Sequence, residues 1–257
     1  MIDVLMHPMS GAAFGLVVGS FLNVCIHRLP LRESVVWPAS RCPNCRAELK
    51  AYDNIPVFSY LMLRGRCRSC REPISIRYPA IELATATLFF AAFTLFDTPI
   101  LYQRLLFACA MIVLFVIDLE HRILPDVVTL PGIVLGFLFS LFMPPGWLDS
   151  LIGMLVGAGA LWLMGEAYFR LRHEEGMGFG DVKMLGMIGA FLGWKLMLLT
   201  LFLSSFFGSI IGLGVIALKG GNMRYALPFG TFLAVGALVA AVVGDQFVAW
   251  YASFYDY

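Results

Sequence analysis

The stretch "LLFACAMIVLFVIDLEHRILPD", Leu105 to Asp126, stays apolar without interruption from Leu105 to Ile117 and then meets Asp118. Such a run belongs in a bilayer, where about 20 apolar residues of helix cross the hydrocarbon. The rest of the chain agrees. Of its 257 residues 60% are apolar and 14% charged, and the mean hydropathy is +0.83, whereas soluble domains are about half apolar and a quarter charged. Candidate runs lie near 9-26, 80-96, 100-118, 127-143, 150-169, 181-194, 196-218 and 226-250. The expected fold is an all-α polytopic membrane protein with about eight transmembrane helices. The sixth run is short, and its boundary with the seventh falls near Trp194 and Lys195. The first run is read as a retained span and not a signal peptide, because "MIDVLMHP" carries no Lys or Arg and no A-x-A-like cleavage site follows.

Charge distribution gives the expected orientation. Arg28, Arg32, Arg41, Arg46, Lys50, Arg64, Arg66, Arg68, Arg71 and Arg77, ten of the 18 basic residues, lie between the first two runs. Positive residues in short loops mark the cytoplasmic side. With eight alternating spans, Arg122, Arg170, Arg172, Lys219 and Arg224 are then also inside, and both termini are periplasmic. The expected division is a first helix over 1-26, a cytoplasmic loop domain over 27-79 and a membrane domain over 80-257. A net charge of +1 gives no reason to expect a nucleic-acid partner; membrane lipid is the expected surround.

The loop carries "CPNC" (Cys42, Cys45) and "CRSC" (Cys67, Cys70), two C-x2-C pairs with 21 residues between them. This spacing suits one tetrahedral zinc ion, and four thiolates leave no open position, so the expected metal is structural. Disulfides are disfavoured in a reducing compartment. With few apolar residues of its own, the loop draws folding free energy from the metal. Cys25 and Cys109 sit in apolar runs and read as packing residues.

Acids inside membrane runs are functional candidates by default. By the parity above, Asp118 ends span three and Asp181 starts span six, at one membrane depth. Should those spans touch, two carboxylates in a partly dehydrated cleft would share one proton. An aspartic protease needs that arrangement: the ionised group draws a proton from water while the protonated one polarises the scissile carbonyl. Gly178 and Gly180 precede Asp181, and residues without a β-carbon allow positive φ and close backbone approach, such as that of an extended substrate. Asp126 reads as an N-cap of span four and is the alternative first acid. Lys183 is read as a partner for lipid phosphate, with a charge that lowers the Asp181 pKa as the alternative, and Asp245 lies at the wrong depth. A proton-coupled transporter and a non-catalytic assembly scaffold are the rival readings.

Together with "GSFLNVCIHRLP" (Gly19 to Pro30), "YPAIELATA" (Tyr78 to Ala86), "IDLEHRILPDVVTLP" (Ile117 to Pro131), "GMGFGDVKML" (Gly176 to Leu185) and "LPFG" (Leu227 to Gly230), these features resemble the type IV prepilin peptidases, GxGD-type intramembrane aspartic proteases of the bacterial inner membrane. The resemblance implies that Asp118 and Asp181 are the catalytic pair, which favours Asp118 over Asp126. It implies prepilins or type II secretion pseudopilins as substrates, cut after a basic leader ahead of an apolar helix. Members with the cysteine loop are bifunctional. They also methylate the new amino terminus, usually a phenylalanine, with S-adenosylmethionine, and Glu82 matches a position linked to that step. No Gly-rich dinucleotide fingerprint occurs in the chain.

Overall fold

The computed structural model describes residues 7–174, 178–219 and 228–254; Glu175, Gly176, Arg224 and Leu227 lie outside them. Among the described residues the chain is helical and contains no strand. The helices are α1 Pro8–Arg28, the short α2 Phe58–Met62, α3 Arg77–Leu95, α4 Ile100–His121, α5 Asp126–Ser140, α6 Trp147–Arg172, α7 Phe179–Lys219 and α8 Phe229–Ala252. All but α2 and the shorter α5 are long and apolar enough to cross a membrane.

At 41 residues, α7 would be about 60 Å long at 1.5 Å per residue, twice the hydrocarbon thickness. It is two helices joined end to end. Gly193 interrupts it with φ 77° and ψ 174°, a backbone region open in practice only to glycine. The sixth and seventh runs of the sequence are these two halves, and the junction falls one residue before the expected Trp194. Counting both halves and the short α5 gives the eight apolar segments.

The chain divides into two compact units, Met1–Val113 and Leu114–Tyr257, with α4 running from one into the other. In the first unit, α1 lies antiparallel on α3 along Gly11, Gly15 and Gly19. A β-carbon on Gly15 would stand 2.7 Å from the Ala86 backbone, and one on Gly19 2.7 Å from that of Glu82. Small residues four apart allow helices in lipid to pack backbone to backbone, where van der Waals contact replaces the missing hydrophobic drive. Phe89 and Ala92 of α3 pack with Leu101 and Leu105 at the start of α4.

The second unit is built around α7. Its first half meets α6, where the Ser150 hydroxyl donates to the Ala190 carbonyl at 2.7 Å and Gly153 and Gly189 approach across the interface. Its second half runs antiparallel to α8, where Ser204 donates to the Phe232 carbonyl at 3.0 Å. The buried faces of α7 are almost wholly apolar, with Met184, Leu185, Met187 and Ile188 fully enclosed.

Candidate active site

The last turn of α4 and the first turns of α7 and α8 meet at one end of the second unit. Asp118 sits in the last turn of α4 and is 5% exposed; Asp181, the third residue of α7, is 9% exposed. Leu124 links the two in space: it packs against Gly180, next to Asp181, and against Gly230, beside Asp118.

Asp118 is fixed by a residue that sequence reasoning missed. Thr231, the third residue of α8, donates both its backbone N–H (2.7 Å) and its hydroxyl (3.0 Å) to Asp118 Oδ2. The first N–H groups of a helix have no partner within it, and an acid near them is favoured by the helix dipole. The only signal in the sequence was the position of Thr231 just after "LPFG", a block matched without a role.

Leu124 packs between the glycines of the site. A β-carbon on Gly180 would lie 2.9 Å from Leu124 Cβ. One on Gly230 would lie 3.0 Å from Leu124 Cδ1 and 3.0 Å from Asp118 Oδ2. Gly180 is thus required by a close approach within the fold, and its φ lies outside the left-handed region. A β-carbon on Gly178 would meet only the Asp181 carboxylate, at an ordinary 3.5 Å.

Two expectations are corrected. Lys183 does not stand free for lipid: its ammonium pairs with Asp126 Oδ1 at 2.6 Å, tying the first turn of α7 to that of α5. Asp126 is not the N-cap of α5, a position held by Pro125 without a side-chain cap; Asp126 is the first helical residue. Its place at a helix start still favours the negative charge. Glu120, His121, Glu174 and Asp245 are exposed.

In the first unit the cysteine loop folds into two turns of the same design. Cys42 N–H donates to Ala47 O and Arg46 N–H to Cys42 O; Cys67 N–H donates to Glu72 O and Arg71 N–H to Cys67 O. Arg46 and Arg71 both take left-handed backbone, φ 58° and 62°. The four Sγ atoms of Cys42, Cys45, Cys67 and Cys70 lie within 4.8 Å of one another, and Cys42 Sγ stands 3.9 Å from Cys70 Sγ. Tetrahedral zinc with bonds of about 2.3 Å needs sulfurs about 3.8 Å apart, so this donor set fits the ion. Backbone N–H groups of Cys70 and Ser69 draw the Cys67 thiol down to about 7. At Cys70 the Glu72 backbone N–H is outweighed by burial and the neighbouring sulfurs, which push that thiol up to about 11, so Cys67 offers a ligating thiolate before Cys70 does. Arg68 bonds Asp53 at 2.6 and 2.9 Å and holds that carboxyl below its usual range.

Glu82 of α3 is buried and accepts the Val57 N–H at 2.7 Å. It lines an open cavity of about 540 Å³ walled by α1, α3 and the cysteine loop. That volume is within the range of small-molecule sites, about 300–1,000 Å³.

Comparison with known proteins gives concordant results. A family model described as the Bacterial Peptidase A24 N-terminal domain matches residues 13–96, and one described as the Type IV leader peptidase family matches residues 105–213. Proteins named prepilin leader peptidase/N-methyltransferase are similar over nearly their whole length. The one from Aeromonas hydrophila is 40% identical, covering 93% of this chain and 91% of its own. That from Pseudomonas putida is 35% identical, covering 91% and 90%, and that from Legionella pneumophila 36%, covering 94% and 93%. No solved structure matches the chain. Buried acids at the helix ends of one unit, a four-thiolate loop in the other and matched sequence through both units lead to one conclusion: this chain belongs to the type IV leader peptidase family.

Proposed function

We propose that this protein is an aspartic endopeptidase that removes the leader from prepilins or pseudopilins and then N-methylates the new amino terminus. The observation that carries the peptidase reading is that Asp118 and Asp181, both buried, lie at one end of the second unit with Leu124 packed beside each. Two carboxylates so placed hold one proton between them. The ionised one takes a proton from the attacking water, and the protonated one donates to the scissile carbonyl oxygen. Thr231 holds one oxygen of Asp118 in place, so this acid is oriented before substrate arrives.

The site is assigned to the cytoplasmic face of the inner membrane, with both termini periplasmic. The basic loop supports this, and so does the substrate, whose positive leader stays inside while its apolar segment inserts. Gly178, where a β-carbon would meet only the Asp181 carboxylate, leaves one side of Asp181 low enough for an extended peptide to lie against. Cleavage is assigned to 80-257, and methylation to the loop domain of 27-79 with Glu82.

Zinc on Cys42, Cys45, Cys67 and Cys70 would hold the loop in shape. S-adenosylmethionine, when bound, supplies the methyl group. The cavity under the loop has the size for such a molecule, and Glu82 there can hold the amine that receives the methyl group.

The test is a cleavage assay in detergent with a pilin precursor, analysed by mass spectrometry. Asp118→Asn and Asp181→Asn each abolish leader removal in a protein that elutes as wild type. Cleavage retained in either variant removes that residue from the pair, and retention in both favours a transporter or scaffold.

A further inference from the structure

Two of the sequence blocks, Gly19 to Pro30 and Tyr78 to Ala86, lie in the first unit. There they form the helical wall of the cavity under the cysteine loop. Asn23 of α1 is 3% exposed. Its amide nitrogen donates to the carbonyls of Gly19 (3.3 Å) and Tyr78 (3.1 Å), while its Oδ1 has no partner. Beside it on α3, one turn on from Tyr78, is Glu82, 8% exposed. Glu82 takes a backbone N–H from Val57 on Oε2 and a side-chain hydrogen bond from Ser20, and a carboxylate offers about four acceptor positions, so acceptor capacity remains.

This wall therefore presents buried acceptors, one of them orphaned and one able to carry charge. The complementary ligand group brings several N–H donors, no acceptor and a positive charge, which describes a primary ammonium. A buried acceptor without a partner is destabilising, and bound ligand is one way in which it is satisfied. Asn23 lies five residues before the end of α1 and Glu82 five after the start of α3, which places both about 7.5 Å inside the helix ends. An ammonium reaching that depth suits a group attached to an apolar segment.

We propose that Asn23 Oδ1 and the Glu82 carboxylate form a binding site for a primary ammonium group in this cavity. Resting on the methylation reading, the site takes the new α-amino group of the cut pilin. The aminoacyl end of S-adenosylmethionine carries the same chemical group and is the other source.

The experiment uses the full, zinc-loaded chain in detergent and two pairs of probes. One pair is a peptide beginning with phenylalanine and its N-acetyl twin. The other is S-adenosylhomocysteine and its N-acetyl derivative. Affinities are measured for wild type, Asn23→Leu and Glu82→Gln. The expected result is that wild type prefers the free-amine peptide at least tenfold over its acetylated twin, and that each variant reduces the preference to within twofold. A preference carried by the nucleoside pair instead keeps the ammonium site and assigns it to the methyl donor. Equal affinity within both pairs in wild type, or a preference undiminished in the variants, overturns the site. Glu82→Gln preserves shape and an acceptor for Val57, so it decides the matter should Asn23→Leu lose its zinc. Mass analysis of wild-type product separates the two ideas. Methylated product without any ammonium preference sinks the site alone; preference without methylation keeps the site and sinks the methylation reading.

Discussion

Replacing Gly230 with alanine tests the geometry around Asp118 most directly. The added methyl would stand 3.0 Å from Asp118 Oδ2, 3.1 Å from its Cγ and 3.0 Å from Leu124 Cδ1. Comfortable contacts lie at about 3.5–4.0 Å, so a neighbour must yield by roughly half an ångström. Leu124 can rotate its δ-carbon away, whereas Asp118 is held by two bonds from Thr231 and must either break them or push α8 back. A misplacement of 1 Å at a catalytic group costs about 100-fold. A shift of about half that predicts a 10- to 100-fold fall in kcat/KM for leader cleavage, or about 1.4–2.7 kcal/mol. The helix itself is not harmed, since alanine is the better helix former; overpacking costs about 1–3 kcal/mol of stability. Steady-state cleavage of a purified pilin precursor measures the effect, with Gly230→Ala/Leu124→Ala as the control. That double variant removes the Leu124 contact and leaves the Asp118 contact, so activity stays low. Wild-type turnover in Gly230→Ala, or recovery in the double variant, would refute the reasoning.

The ion pair between Lys183 and Asp126, with side chains 22% and 55% exposed, is expected to stabilise by no more than about 1 kcal/mol. A double-mutant cycle with Lys183→Met and Asp126→Asn, followed by thermal unfolding, measures it, and a coupling of several kcal/mol would show that the pair is far better shielded than described. Changing Cys42 and Cys67 to Ser together releases zinc and lowers methylation, as read by metal content and product mass. Because backbone N–H groups lower the Cys67 thiol from its ordinary value to about 7, the stability contributed by its thiolate is complete above the ordinary value and lost as pH falls through about 7. Competition with a chromophoric chelator should accordingly extract zinc more readily at pH 6 than at pH 8, and pH-independent extraction would contradict this.

Features with a one-dimensional signature were legible in the sequence. Asp118 and Asp181 stand out because charge in an apolar run is costly, and the C-x2-C pairs because metal knuckles have fixed spacing. The two halves of α7 could be read from their length. Features that depend on cross-helix register were hidden. Thr231 looks like any hydroxyl in a membrane helix until α8 sets its first turn against α4. Lys183 and Asp126 are 57 residues apart, and nothing local pairs them. The contact of Gly180 with Leu124 was hidden for the same reason, since Leu124 lies in a connection that reads as an ordinary loop.

The bonds from Thr231 to Asp118 have a bearing on what can be cut away. The matched family segment ends at residue 213, whereas Thr231 lies beyond it, on the final helix. A fragment trimmed to the matched boundary would retain both acids and lose the anchor of one of them. Any minimal peptidase, or chimaera with a relative, must therefore carry the C-terminal helix through to Ala252.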